Sequence, residues 1–422
     1  MMKSLLKYAA LLLTPAICMA QKETPVLYEG PDTTVLTPRD YLQHNAPDEF
    51  VSGGNPKFLH HTRDSKFIVG VGGFVKTTVG VDFGHPIDNA DNFITSDIPM
   101  HDMDGDNTSF NVSARQTHLY LNVVALPGTG NEIGAFVSAN LLDNYCPTLQ
   151  FAYLRYRGFQ AGYDYTLFSD PVAAPPAIDK EGPNAFTAVT TTGLRYVADL
   201  GRHRQWRLAI GVEMPMASFT TTEGETRMLT QKAPDIPVAV RYAWGGGSSW
   251  IRLSGILRNL YYRDELTRRS IDKVGYGIQL SGQVQLLPQL TAQWQGVYGK
   301  GIASYIQDLT DKGMDLMPSA DGRTLKAVEA WGAYGALTWN ITDAVYCSAV
   351  YSQVRAYPRR YEGDASPWGE QYSYAQYAGA NLFWNINSYF TTGVEYLWGR
   401  RANCDGMKCS DNRVQAMVQF SF

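Results

Sequence analysis

The sequence predicts an all-β chain, a transmembrane antiparallel β-barrel of about sixteen strands, and three observations point there. Alternating apolar and polar runs of roughly ten residues recur from residue 67 onward. The links between them alternate short with long. The chain also stops on an aromatic residue in mid-alternation, in AMVQFSF at 416–422. Val414, Ala416, Val418 and Phe420 fall on one face there, while Arg413, Gln415, Met417, Gln419 and Ser421 fall between them. A strand has period two, so one face is apolar and the other mainly polar. Left at a sheet edge, such a strand would expose unpaired backbone groups, and closing the sheet into a barrel removes that edge.

The front of the chain reads as an export signal over residues 1–20, with Lys3 and Lys7, the apolar stretch YAALLLTPAI, and small Ala20 before Gln21. Cleavage after Ala20 is expected. Lipid attachment at Cys18 is the alternative, disfavoured by the bulk of Ile17. Of 36 Lys and Arg, Lys3 and Lys7 lie in the signal, which leaves 34 against 40 Asp and Glu, a mature net charge of −6. No basic excess marks a nucleic-acid surface. The mature chain contains no apolar run of about 18 residues, the minimum for a spanning helix. Length alone would also accommodate two or three soluble domains, so the strand pattern decides.

In order, the runs fall at 67–83, 110–125, 131–142, 148–157, 159–168, 191–200, 206–216 and 236–244. They continue at 250–261, 273–287, 290–299, 327–340, 344–355, 372–386, 389–399 and 413–422. VGYGIQLSGQVQL (274–286) is the clearest, setting Val274, Tyr276, Ile278, Leu280, Val284 and Leu286 against Gly and Gln residues. WRLAIGVEM (206–214) divides the same way. The runs at 110–125 and 344–355 alternate poorly and are expected to hold a bulge or a shifted register.

Short links occur at LPGTG, Gly158, GRHRQ, GGGSS, Pro288-Gln289, Thr342-Asp343 and Asn387-Ser388, after every even-numbered strand. Short turns on one side and long loops on the other are the outer-membrane arrangement, with both termini on the periplasmic side. Indoles favour membrane interfaces. Trp206, Trp244, Trp250, Trp339 and Trp384 all lie near the short-turn ends and are expected to form a periplasmic rim. A soluble all-β protein would share the alternation without this sorting. Residues 21–66, rich in Pro, Gly and charge, read as a mobile periplasmic extension, with docking in the barrel mouth as the alternative. The expected division is therefore signal 1–20, extension 21–66 and barrel 67–422.

Alternation also assigns an inward face. It carries Lys76, Arg115, Arg155, Arg157, Arg195, Arg207, Arg241, Arg252 and Arg258 against Asp82, Glu132, Asp164, Glu213, Glu329 and Glu395. Guanidinium groups present planar donors to carboxylate or phosphate, and a ring of them favours anions. The alternative is a self-paired, solvated lining. The third long loop, SDPVAAPPAIDKEGPNAFTAVTT (169–191), is stiffened by Pro171, Pro175, Pro176 and Pro183. It is a candidate constriction, with Asp170, Asp179 and Glu181 facing the Arg-bearing wall. An exposed surface loop is the alternative.

FAYLRYRGFQAGYDYTLFSDPVAAPPAIDKEGP (151–183) resembles the stretch of the DcaP-like outer-membrane porins in which an Arg-containing strand and a second strand ending near Phe-x-Asp lead into a Pro-rich loop closing on Asp-x-x-Gly-Pro. The matching residues are Tyr153, Arg155, Gly162, Phe168, Asp170, Pro176, Asp179, Gly182 and Pro183. FIVGVGGFVKTTVGVDF and SARQTHLY resemble that family's first strand and its Ala-Arg-Gln strand. The tryptophan usual before Phe-x-Asp is Tyr165 or its neighbour here, and the extension lacks coiled-coil heptads. The resemblance implies a trimeric, sixteen-stranded channel for small, often anionic solutes.

Smaller signals are weaker. Cys404 and Cys409, in NCDGMKC of the last external loop, are expected to form a disulfide in an oxidising compartment, with free thiols or metal ligands as alternatives. Cys146 and Cys347 have no assignable partner. HDMDGDN (101–107) gathers Asp102, Asp104 and Asp106, but its glycine is misplaced for a calcium loop and no Glu follows at the twelfth position. His60-His61 lacks companion ligands. His118 has no G-x-S-x-G element beside it, so an enzyme is not expected. The 46 residues at 21–66 are too few for a folded plug.

The expectation is a passive outer-membrane diffusion channel of a Gram-negative bacterium, anion-preferring and without cofactor. Its expected partners are small solutes, outer-membrane lipid and lipopolysaccharide, and two further copies of itself. A structural or adhesive barrel acting through its external loops is the alternative.

Overall fold

Period-two alternation becomes a closed wall in the computed structural model, which describes residues 36–47, 58–62, 66–101, 107–143, 145–201, 205–320, 322, 324–358 and 368–422. The signal segment and Asp102, Asp104 and Asp106 lie outside these residues. The barrel strands are β1 (Phe67–Gly84), β2 in two halves (Thr108–Ser113 and His118–Ala125), β3 (Ile133–Asp143), β4 (Cys146–Tyr156) and β5 (Phe159–Tyr165). Next come β6 (Thr190–Leu200), β7 (Trp206–Glu213), β8 (Ile236–Trp244), β9 (Ser249–Asp264), β10 (Arg269–Leu287) and β11 (Leu290–Lys300). The last five are β12 (Glu329–Asn340), β13 (Val345–Tyr357), β14 (Tyr372–Asn385), β15 (Phe390–Asn403) and β16 (Lys408–Ser421).

Each strand pairs antiparallel with the next, and β16 returns to β1 in register from Phe74↔Ser421 to Gly84↔Asp411. The terminal alternation is thus the closing seam. Outward positions carry the apolar residues: Val71, Val75, Val79 and Phe83 on β1, and Val414, Val418 and Phe420 on β16, are all exposed. Among the two-residue links, Arg157-Gly158 has both residues at positive φ (48° and 83°), the conformation of a primed hairpin turn.

The poor alternation of 110–125 reflects a real break at residues 114–117, where Thr117 N–H donates to the Ala114 carbonyl. Phe110 and Val112 face out before it, Leu119 and Leu121 after it. The outward positions change from even to odd. The run at 344–355 is a correction, because β13 pairs with both neighbours without a register shift. Its alternation is weak because Val350, Val354 and Ala356 face inward onto apolar loop residues rather than water.

Two described pieces of residues 21–66 pack on the barrel. The short strand Phe58–His61 pairs with β1, and Phe58 meets Phe422 edge-on at 6.3 Å. Helix α1 (Pro38–Asn45) begins with Pro at its first position and a capping box. In that box the Thr37 N–H donates to Asp40 (2.7 Å), and the Asp40 N–H donates to the Thr37 hydroxyl (3.3 Å). Its Tyr41 and Leu42 are buried against Ile68 and Val124.

Candidate functional site

The lumen is the functional space of such a barrel, and the loops occupy much of it. The connection 166–189 is buried along most of its length and bonded to strands on several sides. Arg252 of β9 donates to the carbonyls of Leu167 (2.5 Å) and Ser169. Gln295 of β11 donates to Ala185 O (2.9 Å) and Ser348 of β13 to Pro176 O (2.9 Å). Lys76 of β1 donates to Ile178 O (2.8 Å), and the Glu395 carboxylate of β15 accepts from the amides of Ile178 (3.1 Å) and Asp179 (2.9 Å). A second connection, 301–328, buries Ile302, Tyr305, Ile306, Leu309 and Met317 in one apolar cluster with Phe168 and Phe186. Together they fill the side of the lumen in front of β9 to β14.

The facing wall is basic. Cross-strand register places Arg207, Arg241 and Arg252 side by side on β7, β8 and β9. A second row runs Arg155–Gln160–Arg195 across β4, β5 and β6. Like charges directly opposite destabilise a sheet. Both rows are offset by local partners: Asp199 takes Arg207 (2.8 Å), Asp164 takes Arg195, and the Trp250 ring lies 4.4 Å under Arg241.

A family model described as "Porin subfamily" matches residues 71–420. The chain belongs to the porin family. No curated protein matches it in sequence. Among solved structures, the porin resembles the outer-membrane channel DcaP of Acinetobacter baumannii at a TM-score of 0.72, with 20% identity over 86% of this chain and 99% of that one. The anion-selective porin from Comamonas acidovorans follows at 0.54, with 10% identity over 84% and 100%. OmpT of Vibrio cholerae stands at 0.53, with 9% identity over 86% and 100%. These likenesses establish the shared barrel. The protein is a porin of the Gram-negative outer membrane, a channel protein and not an enzyme.

The nine cations expected to line this porin separate into three groups. Arg115, Arg155, Arg195 and Arg241 keep partial exposure, Arg115 paired with Asp91 at 2.7 Å. Lys76, Arg252 and Arg258 are corrections to a water-lining role, because they are buried and hold loops in place. Arg258 lies between Asp235 (3.0 Å) and Asp315 (3.2 Å) without solvent exposure. Arg157 sits in the turn and bonds Gly130 O (2.8 Å), while exposed Arg207 faces Asp199 near the same rim.

The acids are corrected likewise. Glu132 accepts from Gly128 N–H in a turn (2.8 Å), and Glu329 shares the outward face of β12 with Trp339, paired with Lys300 (3.2 Å). Asp170 is buried under Ser281 (2.6 Å) and Trp250 (3.3 Å). Asp179 accepts the amides of Gly182 (3.0 Å) and Phe93 (2.9 Å), so the Asp-x-x-Gly-Pro element is a tie between two loops. Burial, with the nearby Glu395 carboxylate second, pushes the Asp179 carboxyl up to about 7. Glu181 stays half-exposed, and Pro176 gives its carbonyl to Ser348.

Cys404 and Cys409 carry no disulfide, a further correction. Cys409 turns into a cluster with Phe93, Ile98, Tyr377 and Leu397, opposite Arg401 in the ladder. Sequence reasoning left out several inward cations, Arg413 and Arg401 among them. Arg413 chelates Asp82 across the seam (2.5 and 2.7 Å), and Arg401 donates to Ser96 O (2.6 Å). Period-two parity on β16 already placed Arg413 opposite the apolar face.

Proposed function

We propose that this porin is a homotrimeric diffusion channel for small hydrophilic solutes, preferring anions such as organic acids or phosphate-like species. Export by the cleaved signal 1–20 delivers it to the outer membrane, where external loops meet lipopolysaccharide. Solute passes along the basic wall, and the third loop sets the width of the passage from the opposite side.

One observation carries this reading: Arg155, Arg195 and Arg241, on β4, β6 and β8, keep part of their surface in water, across from a side filled by apolar loops. Water confined beside a low-dielectric surface transmits the field of those charges more strongly than bulk water does. An anion entering there exchanges hydration for planar N–H donors. Asp164 and Asp199 neutralise part of the field, so the preference is graded rather than absolute.

The test is the reversal potential across a salt gradient in planar bilayers, for wild type and an Arg155→Ala, Arg241→Ala double variant. Anion preference in wild type that collapses toward neutrality in the variant supports the reading. A purified, folded protein that never opens a pore would leave the structural or adhesive alternative standing.

A further inference from the structure

The docked piece of the extension reaches the edge of the basic wall at Arg155. Helix α1 and the residues after it sit at the periplasmic ends of β1 to β4, where Ile68 and Val124 lie one residue from the ends of their strands. The seat is polar and specific. The Asn45 side chain donates to Asn122 Oδ1 (2.7 Å) and Ala135 O (3.1 Å), and Asn122 donates back to Leu42 O (2.7 Å). The Tyr153 hydroxyl donates to Asn45 O (2.7 Å), and Arg155 Nη1 donates to His44 O (2.7 Å).

One position of the wall is shaped for this occupant. A Cβ on Gly134 of β3 would meet Asn45 atoms at 1.9, 2.5 and 3.1 Å, its three nearest contacts. A larger residue there would push the Asn45 amide from its place. The buried Asn45 Oδ1 finds no hydrogen-bond donor among the described residues, which costs the docked state free energy.

We propose that residues 36–47 form a periplasmic gate, seated on Gly134 and latched by Arg155, that must leave its seat for solute to pass. The proposal rests on the reading of the basic wall as the path. It adds a second use for Arg155. A backbone carbonyl is a neutral acceptor, whereas a carboxylate or phosphate makes a charge-assisted bond roughly twice as strong. An arriving anion therefore competes with His44 O for the same guanidinium, and its capture loosens the latch. Solute and gate exclude each other at one side chain.

The experiment uses the full mature chain with Gly134→Val and, separately, Asn45→Ala. Valine suits a strand and would collide with Asn45 at the positions given above, so the barrel is expected to fold and the seat to be lost. Single-channel conductance should rise at least twofold in both variants. Limited trypsin cleavage after Arg39, read by mass spectrometry on protein that keeps its heat-modifiable gel mobility, should accelerate at least tenfold. Unchanged conductance and unchanged cleavage in both folded variants would overturn the gate. Reversal potentials on the same channels separate the two readings. Larger conductance without anion preference keeps the gate and removes the anion reading, while anion preference with unaltered conductance does the reverse.

Discussion

Arg258 makes bonds from β9 to two different loops. Its guanidinium reaches Asp235 and the Met216 carbonyl in one connection, and Asp315 and Gly301 O (2.6 Å) in another, with the Tyr305 ring 4.7 Å away. Removing one member of such a buried group strands the others. Arg258→Ala should cost about 3–5 kcal/mol, measured as a lower unfolding temperature of the purified protein in detergent. Arg258→Met, paired with Asp235→Asn and Asp315→Asn, should recover part of that loss. Parity alone made Arg258 legible as an inward residue. Whether it met water depended on Asp315, 57 positions later, which no local pattern could supply. Trp250 teaches the complementary lesson. Its position near a turn suggested the lipid interface, yet it shares parity with Arg252 and is buried over Arg241. On a barrel strand, the face a side chain takes decides its surroundings before its height does.

At the scale of the element, the third loop is held by its ends and its middle, and Asp179 is the tie at the middle. Its carboxyl is raised from an ordinary value of 3.8 to about 7, so docking favours the protonated form. Stability of the docked loop is therefore full at low pH and lost as pH rises through about 7. The groups that act on it are Glu395 on β15, Arg413 on β16, Lys76 on β1 and Glu181 two residues on in the loop. Single-channel current should be larger or noisier at about pH 8.5 than at about pH 5.5, and Asp179→Asn should flatten the difference. The prolines and the Asp-x-x-Gly-Pro pattern made a stiff loop legible. Its bonding partners were not, since they come from β1, β9, β11, β13 and β15. The weak alternation of 344–355 has the same origin. An inner face that packs on another loop reads as a flawed strand when water is assumed to be its only neighbour.

For the whole molecule, fold and strand order were legible because lipid outside and water inside impose the same period on every strand. Among the described residues, the four-residue break in β2, the additions at Phe58–His61 and α1, and short loop strands at Thr226–Met228, Leu316–Pro318 and Leu325–Ala327 changed the outline. The seam is the point where the pattern has to close on itself. There Asp82 and Arg413 are fully buried and bidentate, and Gly73 exchanges two backbone bonds of 2.9 Å with Phe422. Arg413→Ala should lower the unfolding temperature in detergent more than the rim variant Arg207→Ala, whose pair is half in water. The seam also bears on the outer mouth. The first external loop buries Phe93 and Ile98 against Tyr377 and Leu397, and bonds Ser96 to Arg401, all on β14 and β15. Those strands lie beside β1 only once β16 has paired with it. The outer mouth on that side is therefore built across the seam, and a barrel whose β1 and β16 have not paired has no floor on which its first loop can pack.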